Sequence, residues 1–250
     1  MPDFEAREEK LAFKGERFRL PDGFHVEEVA SDTLIGSVIN MTFDHLGRPV
    51  MGAQEDGVRI LIDEDGDGVY DAQKSFSEQV KRIMALHFMG PGDLLVQGNG
   101  PKGPGLYRLV DENGDDAADQ VDLIMASDGG MGEHGPHAIL RGPDGFVYVQ
   151  YGNHAHPIVE ENPLSASRNL QEDFFLDRYV DPRGHANNVM APGGTIMRVD
   201  PEFNDWHQLV GGFRNAYDMS MDQTGELFTF DSDMEWDFGL PWFRPIRVIH

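Results

Sequence analysis

The sequence predicts an all-β protein of the β-propeller type, and three observations carry that expectation. A turn followed by a short apolar strand recurs four times along the chain. Between these comes a second recurring element, a strand that runs straight into an acidic turn. Long helical periodicity is missing, and the 29 glycines and 15 prolines are spread along the 250 residues rather than clustered, as in a turn-rich chain that is not low-complexity.

The first element reads Asp44-His45-Leu46-Gly47-Arg48-Pro49-Val50-Met51 and then Gly90-Pro91-Gly92-Asp93-Leu94-Leu95-Val96. It returns as Gly142-Pro143-Asp144-Gly145-Phe146-Val147-Tyr148-Val149 and as Asp222-Gln223-Thr224-Gly225-Glu226-Leu227-Phe228-Thr229. Gly, Pro and Asp set the turn, and branched or aromatic residues suit the strand behind it. The second element reads Val58-Arg59-Ile60-Leu61-Ile62-Asp63, Leu106-Tyr107-Arg108-Leu109-Val110-Asp111 and Thr195-Ile196-Met197-Arg198-Val199-Asp200. Its first two acidic turns lie 48 residues apart, inside the period of about 40–50 residues that propeller blades show.

The third unit is stretched by a polar insertion over residues 157–192. Residues 76–89 fit a strand-loop-strand as well as a short helix. The domain reading is an N-terminal extension over 1–17 and a propeller over 18–250. About four blades are present where six are expected, and residues 247–250 end in mid-pattern, so a C-terminally truncated chain is the expectation. An unclosed propeller exposes strand edges.

Composition excludes several function classes. Forty-four acids against twenty bases give a formal charge of −24, which repels nucleic acid and anionic membranes. Without cysteine there are no disulfides, thiolate metal sites or cysteine nucleophile. No run approaches the roughly 18 apolar residues of a membrane-spanning helix. The first eighteen residues are charged and lack the apolar core of a signal peptide, so the protein is cytosolic or its leader lies outside this sequence.

The histidines concentrate: residues 133–156 hold four of the ten, around an expected strand at 146–151. Imidazole titrates near neutrality and binds metals, so the cluster is a candidate site. His134 with His137, and His154 with His156, have HxxH and HxH zinc spacings, although Gly135 and Pro136 forbid the helix that usually presents such ligands. Satisfied turn histidines are the plain alternative.

Asp63, Asp65, Asp67 and Asp71 stand at positions 1, 3, 5 and 9 of a loop with glycine, Gly68, at position 6, the front half of a calcium loop. Lys74 occupies position 12, where a complete helix–loop–helix site needs an acid. Asp111, Asn113, Asp115 and Asp119 repeat the spacing, with Asp116 where glycine should be. Both loops are candidate calcium sites of structural role, or else solvated acidic turns. Arg214, in the glycine-rich turn after Gly211 and Gly212, can bind a carboxylate or quinone oxygen, or can form a surface ion pair. The run Asp231-Ser232-Asp233-Met234-Glu235-Trp236-Asp237 follows a strand and can coordinate a cation or line a polar pocket.

His134 followed by Gly142-Pro143-Asp144-Gly145-Phe146-Val147-Tyr148-Val149-Gln150-Tyr151-Gly152, and Gly212-Phe213-Arg214-Asn215 followed by Thr224-Gly225-Glu226-Leu227-Phe228, resemble the soluble quinoprotein glucose/sorbosone dehydrogenase superfamily. With residues 18–30 added, the likeness is nearest to the membrane-bound-dehydrogenase type of propeller domain found in large secreted planctomycete proteins, often joined to c-type haem modules. That resemblance implies a six-bladed propeller holding pyrroloquinoline quinone (PQQ) and calcium, secreted or periplasmic, oxidising a sugar or polyol and passing electrons to a cytochrome c-type acceptor. It makes His134 the base and Arg214 the residue on the cofactor. Asn215, Asp231, Ser232, Asp233 and His154 become further cofactor contacts. Here Ala138 stands where the glucose-oxidising branch has arginine, and Arg168, Arg178, Arg183 and Arg198 are the expected sources of positive charge for an anionic quinone. Two other readings remain: a non-catalytic calcium-stapled propeller that binds glycan or protein, and a metal-dependent hydrolase of lactonase type using Asp231, Asp233 and the histidines.

Overall fold

The computed structural model describes residues 20–166, 189, 193–232 and 246–250. Four antiparallel sheets follow one another along the chain as four propeller blades. Blade 1 is β1 (Val38–Phe43), β2 (Pro49–Ala53), β3 (Val58–Ile62) and β4 (Ala72–Ser77) in simple succession. Blade 2 is β5 (Lys81–Gly90), β6 (Asp93–Gly100), β7 (Gly103–Val110) and β8 (Gln120–Gly129). Blade 3 is β9 (Pro136–Arg141), β10 (Val147–Tyr151), β12 (Gly194–Val199) and β13 (Trp206–Phe213). Between its second and third strands the chain steps sideways, and β11 (Ala155–Ile158) pairs with β8 on the outer edge of blade 2. Blade 4 is β14 (Met219–Met221), β15 (Leu227–Asp231) and β16 (Arg247–Ile249). The first strands β1, β5, β9 and β14 pack against one another in turn, so they form the inner wall. One helical turn, α1 (Asp32–Ile35), precedes blade 1 and is capped by Ser31.

Each sequence repeat maps to one place in the blade. The turn-and-strand element is the hairpin between first and second strands. Its turn closes identically in three blades: Asp44 N donates to Arg48 O, Gly142 N to Phe146 O and Asp222 N to Glu226 O. The fourth turn residue is glycine each time, at φ +79 for Gly47, +84 for Gly145 and +92 for Gly225, a left-handed conformation in which a Cβ clashes with the backbone. The strand-and-acidic-turn element is the third strand, β3, β7 or β12, and its connection to the fourth. Residues 76–89 resolve as the strand-loop-strand alternative, split between β4 and β5.

Apolar residues on facing sheets fill the spaces between blades. Val50, Val58, Ile60 and Phe76 of blade 1 meet Leu86, Leu94, Val96 and Leu109 of blade 2. Leu95, Leu106 and Met125 of blade 2 meet Ile139, Val149, Met197 and Trp206 of blade 3. Tyr148, Ile196 and Phe213 carry the packing on to Met219 of blade 4. Each such side chain contributes about 1.5–3 kcal/mol when fully buried. Buried amides tie the same joints: Gln97 Nε2 donates to Ala138 O at 3.2 Å, and Gln150 Nε2 to Thr229 Oγ1 at 2.8 Å. The strand β10, within the expected 146–151, is buried on both faces along its whole length.

Candidate active site

Following the strands fixes two ends. The hairpin turns at 44–48, 142–146 and 222–226 and the acidic loops at 63–71 and 111–119 share one end, because first and third strands run towards it. The start of β9 and the ends of β10, β13 and β15 lie at the other. That second end gathers His134, Asn153, His154, Arg214, Asn215, Asp231 and Ser232.

His134 lies in the glycine-rich connection ahead of β9 and is 3% exposed. Its Nδ1 lies 2.7 Å from Asn153 Oδ1. An amide oxygen only accepts, so Nδ1 carries the proton and Nε2 is left as the basic nitrogen. The His154 ring stacks on His134 with centroids 4.6 Å apart. His154 is itself exposed and forms the solvent side of the pair. Backbone contacts fix these loops: His154 N donates to His134 O, and Asn153 N donates to Arg214 O, both at 3.0 Å. A residue eighty positions away thus joins the histidine through one asparagine. Gly152 makes the closeness possible, since a Cβ there would stand 2.6 Å from His134 O and 2.7 Å from Asn215 Oδ1.

Arg214 is half-buried, and its Nη1 donates to Ser232 Oγ at 2.8 Å. Among the described residues no carboxylate pairs with this side chain. Its turn is held by Asp231. That carboxylate is 0% exposed and accepts from the backbone N–H of Arg214, Asn215 and Ser232 at 2.9–3.1 Å. Arg247 Nη2 adds a fourth donor at 3.0 Å. A carboxylate so fully engaged fastens a turn and does not fit a cation ligand. Asn215 is equally committed. Its Nδ2 donates to Glu133 O at 3.0 Å, and its Oδ1 faces His137 Nε2 at 2.6 Å. Burial, the dominant influence, holds His137 below the ordinary histidine range, and nearby His134 adds to the effect. Asp233 lies outside the described residues, as do Arg168, Arg178 and Arg183. Arg198 belongs to the other end, where it pairs with Asp144 at 3.0 Å and lies over the Phe146 ring; it supplies no charge to this site.

Among the described residues, one group of acids and histidines converges as a metal site would: Asp63, Asp65 and Asp71, with oxygens within 4.8 Å of one another. Asp67 turns aside and accepts from Val69 N at 2.8 Å. The Gly68 amide, foremost among several backbone donors, holds the Asp63 carboxyl below the usual range. No histidine joins the group, so the zinc spacings do not assemble among these residues. In the second loop Asp111 accepts from Gly114, Asp115 and Asp116 N–H, and Asp119 from Glu112 N. Asn113 and Asp115 likewise cap nearby amides. Asp116, at φ +63, takes a two-pronged bond from Arg48 of blade 1 at 2.6 and 3.0 Å. Lys74, misplaced for its own loop, reaches Asp115 O of this one. The second loop is therefore a clasp between blades 1 and 2. A cavity of about 450 Å³ lies beside it, lined by Arg48, Phe76, Phe88 and Asp116, at the end away from the histidines.

The fold is a β-propeller, and the solved structures similar to it include PQQ-dependent sugar dehydrogenase-like propellers. The holo form of the pyranose dehydrogenase PQQ domain from Coprinopsis cinerea matches with a TM-score of 0.56 and 12% identity, over 92% of this chain and 49% of that one. The calcium structure of the Trichoderma reesei carbohydrate-active enzyme of family AA12 matches with a TM-score of 0.52 and 13% identity, over 82% and 48%. At such identities the likeness is one of fold, and this chain spans about half the length of those structures. A family model described as "Domain of unknown function (DUF7133)" matches residues 12–238, and the chain belongs to that family. No curated protein matches it. Among the described residues no helix is long and apolar enough to cross a membrane.

Asn153, Gly152 and Arg247 were not singled out by sequence reasoning. Asn153 has one usable signal, its place directly behind the buried strand that follows His134. Arg247 has none.

Proposed function

We propose that this propeller oxidises a sugar or polyol with a bound quinone, with His134 as general base and Arg214 on the cofactor. The observation that carries this reading is the buried His134, oriented by Asn153 and joined through that asparagine to Arg214. The residues fit such a group: among the described residues the Arg214 side chain bonds to Ser232, and its guanidinium can offer further donors to an anionic oxygen. A bound quinone would supply the two-electron acceptor. The chain's own share is to seat the substrate hydroxyl, take its proton at His134 Nε2 and hold the resulting positive charge. Asn153 stabilises that imidazolium by accepting from Nδ1, and His154 shields one face of the ring.

Calcium in this reading belongs to the opposite end. Asp63, Asp65 and Asp71 would hold it as a blade staple, and nothing in the chemistry passes through it. The site favours oxidation over lactone hydrolysis because Asp231 is spent on backbone amides. A secreted or periplasmic setting and a cytochrome c-type acceptor accompany the reading.

The test is reconstitution of the purified chain with PQQ, followed by its absorbance and by dye-coupled oxidation of aldoses and polyols. Bound, substrate-reducible cofactor is expected, with His134→Ala abolishing turnover but not uptake and Arg214→Ala weakening uptake. A His134→Ala protein that turns over as fast as the native one would sink the assignment.

A further inference from the structure

A second histidine–amide pair lies beside His134 and Asn153. His137 opens β9 and is 2% exposed. Its ring tilts at 33° against Tyr217, with centroids 4.3 Å apart, and its Nε2 faces Asn215 Oδ1 at 2.6 Å. Asn215 cannot turn freely. Its Nδ2 donates to Glu133 O at 3.0 Å, and its backbone N donates to Asp231 at 2.9 Å. The amide oxygen must face the imidazole, so His137 carries its proton on Nε2. The two histidines thus hold opposite tautomers, Nδ1–H in His134 and Nε2–H in His137.

We propose that His137 is a positioning residue: its Nε2–H, read by Asn215, locks the loop carrying His134 to the turn carrying Arg214. The inference rests on the dehydrogenase reading for its purpose, since a general base needs one fixed tautomer and one fixed distance to the cofactor-binding arginine. The contacts form a closed circuit. His137 orients Asn215, and Asn215 grips the carbonyl just before His134. Asp231 fastens Asn215 and Arg214 together, and Asn153 returns from the Arg214 carbonyl to the His134 ring. Without the Nε2–H, the Asn215 oxygen is left buried without a donor, which favours rotation of the amide away from Glu133. The titratable groups facing this pair are Glu133, His134 and Tyr217, with Asp231 behind Asn215.

The experiment is ¹⁵N NMR of the imidazoles in the full chain. In the native protein His137 is expected as Nε2–H and His134 as Nδ1–H. In His137→Phe, which keeps a ring on Tyr217 but loses the donor, exchange of the His134 Nδ1–H with water should rise roughly tenfold or more. His137→Gln returns an N–H near the same point and should restore slow exchange. A native His137 protonated on Nδ1 overturns the inference, and so does a folded His137→Phe with native His134 exchange. If the Phe variant does not fold, the native tautomers and the Gln variant decide it, and rapid His134 exchange in folded His137→Gln also overturns it. Failure of the native chain to take up quinone would refute the dehydrogenase reading and leave these spectra unchanged.

Discussion

Replacing Asp231 by alanine removes the carboxylate on which the Arg214 turn is hung. It is 0% exposed and accepts from three backbone N–H groups and Arg247. A hydrogen bond to a charged group contributes about 1.5–3 kcal/mol, so four would total roughly 6–12 kcal/mol. That is a ceiling, because the donors share one anion whose own burial is unfavourable. The Arg247 side chain is 61% exposed, which limits its share to about 0–1 kcal/mol. The N–H groups of half-buried Arg214 and Ser232 can turn to water, whereas that of buried Asn215 cannot and costs about 1–3 kcal/mol unpaired. The expected loss is about 3–5 kcal/mol for Asp231→Ala and about half of that for Asp231→Asn, which keeps one acceptor oxygen. Urea unfolding near neutral pH, with the slope compared between variants, measures it. A loss below about 1 kcal/mol for the alanine variant would refute the structural role and return Asp231 to the candidate cation ligands.

Three further outcomes follow from the same geometry. Gly152→Ala drives a methyl into His134 O and Asn215 Oδ1; it should cost about 2–4 kcal/mol in urea unfolding and displace the His134 ring resonances, and a silent variant would contradict the close approach. Burial lowers the pKa of both His137 and His87, so below about pH 6.5 the unfolded chain binds more protons than the folded one. Stability should therefore fall as pH drops from about 7 towards 5, and His137→Gln should flatten that slope, as thermal melts across the range would reveal. Calorimetric titration with calcium should show binding that weakens about tenfold or more in Asp65→Asn or Asp71→Asn, and quinone uptake should be unaffected because the loop lies at the opposite end; equal weakening from Asp231→Asn would contradict that placement.

The fold was legible because its signals are local. A turn such as 142–146 needs Gly145 at positive φ and an Asp that caps its own backbone, and both are written in adjacent residues. The acidic turns after β3, β7 and β12 likewise open on an Asp that caps its own backbone amides. The site was half legible. His134 and Arg214 could be singled out as residue types poorly suited to buried or glycine-rich surroundings, and the structure does bring them together. Asp231 was read as a possible cation ligand because a carboxylate behind a strand looks the same whether it meets a metal or a set of amides. Only the pairing of β15 with β14 and β16, with the turn at 214–216 laid across its end, decides between them. Asn153 and Arg247 escaped for a related reason. Their chemistry is ordinary, and their partners are 61 and 16 residues away, in contacts that exist only once the strands have paired into blades. Lys74 shows the converse: it is wrong for its own loop and right for the loop of the next blade.

Charge distribution gives the division between the two ends a physical sense. At −24 the chain should repel an anionic cofactor unless its cations are locally free. At the hairpin end three arginines are matched by acids: Arg48 with Asp44 and Asp116, Arg108 with Asp93, Arg198 with Asp144. Those pairs stitch turns and blades, and they leave little positive field beyond themselves. The histidine end is built differently. His134 and His137 are paired with amides, and the buried acid, Asp231, is neutralised by backbone donors and Arg247. Arg214, bonded to a serine hydroxyl, keeps its charge. An acidic propeller can therefore present, beside one oriented imidazole, a guanidinium that meets no carboxylate among the described residues, and substituting Ser232 by a carboxylate would remove that distinction without disturbing a single strand.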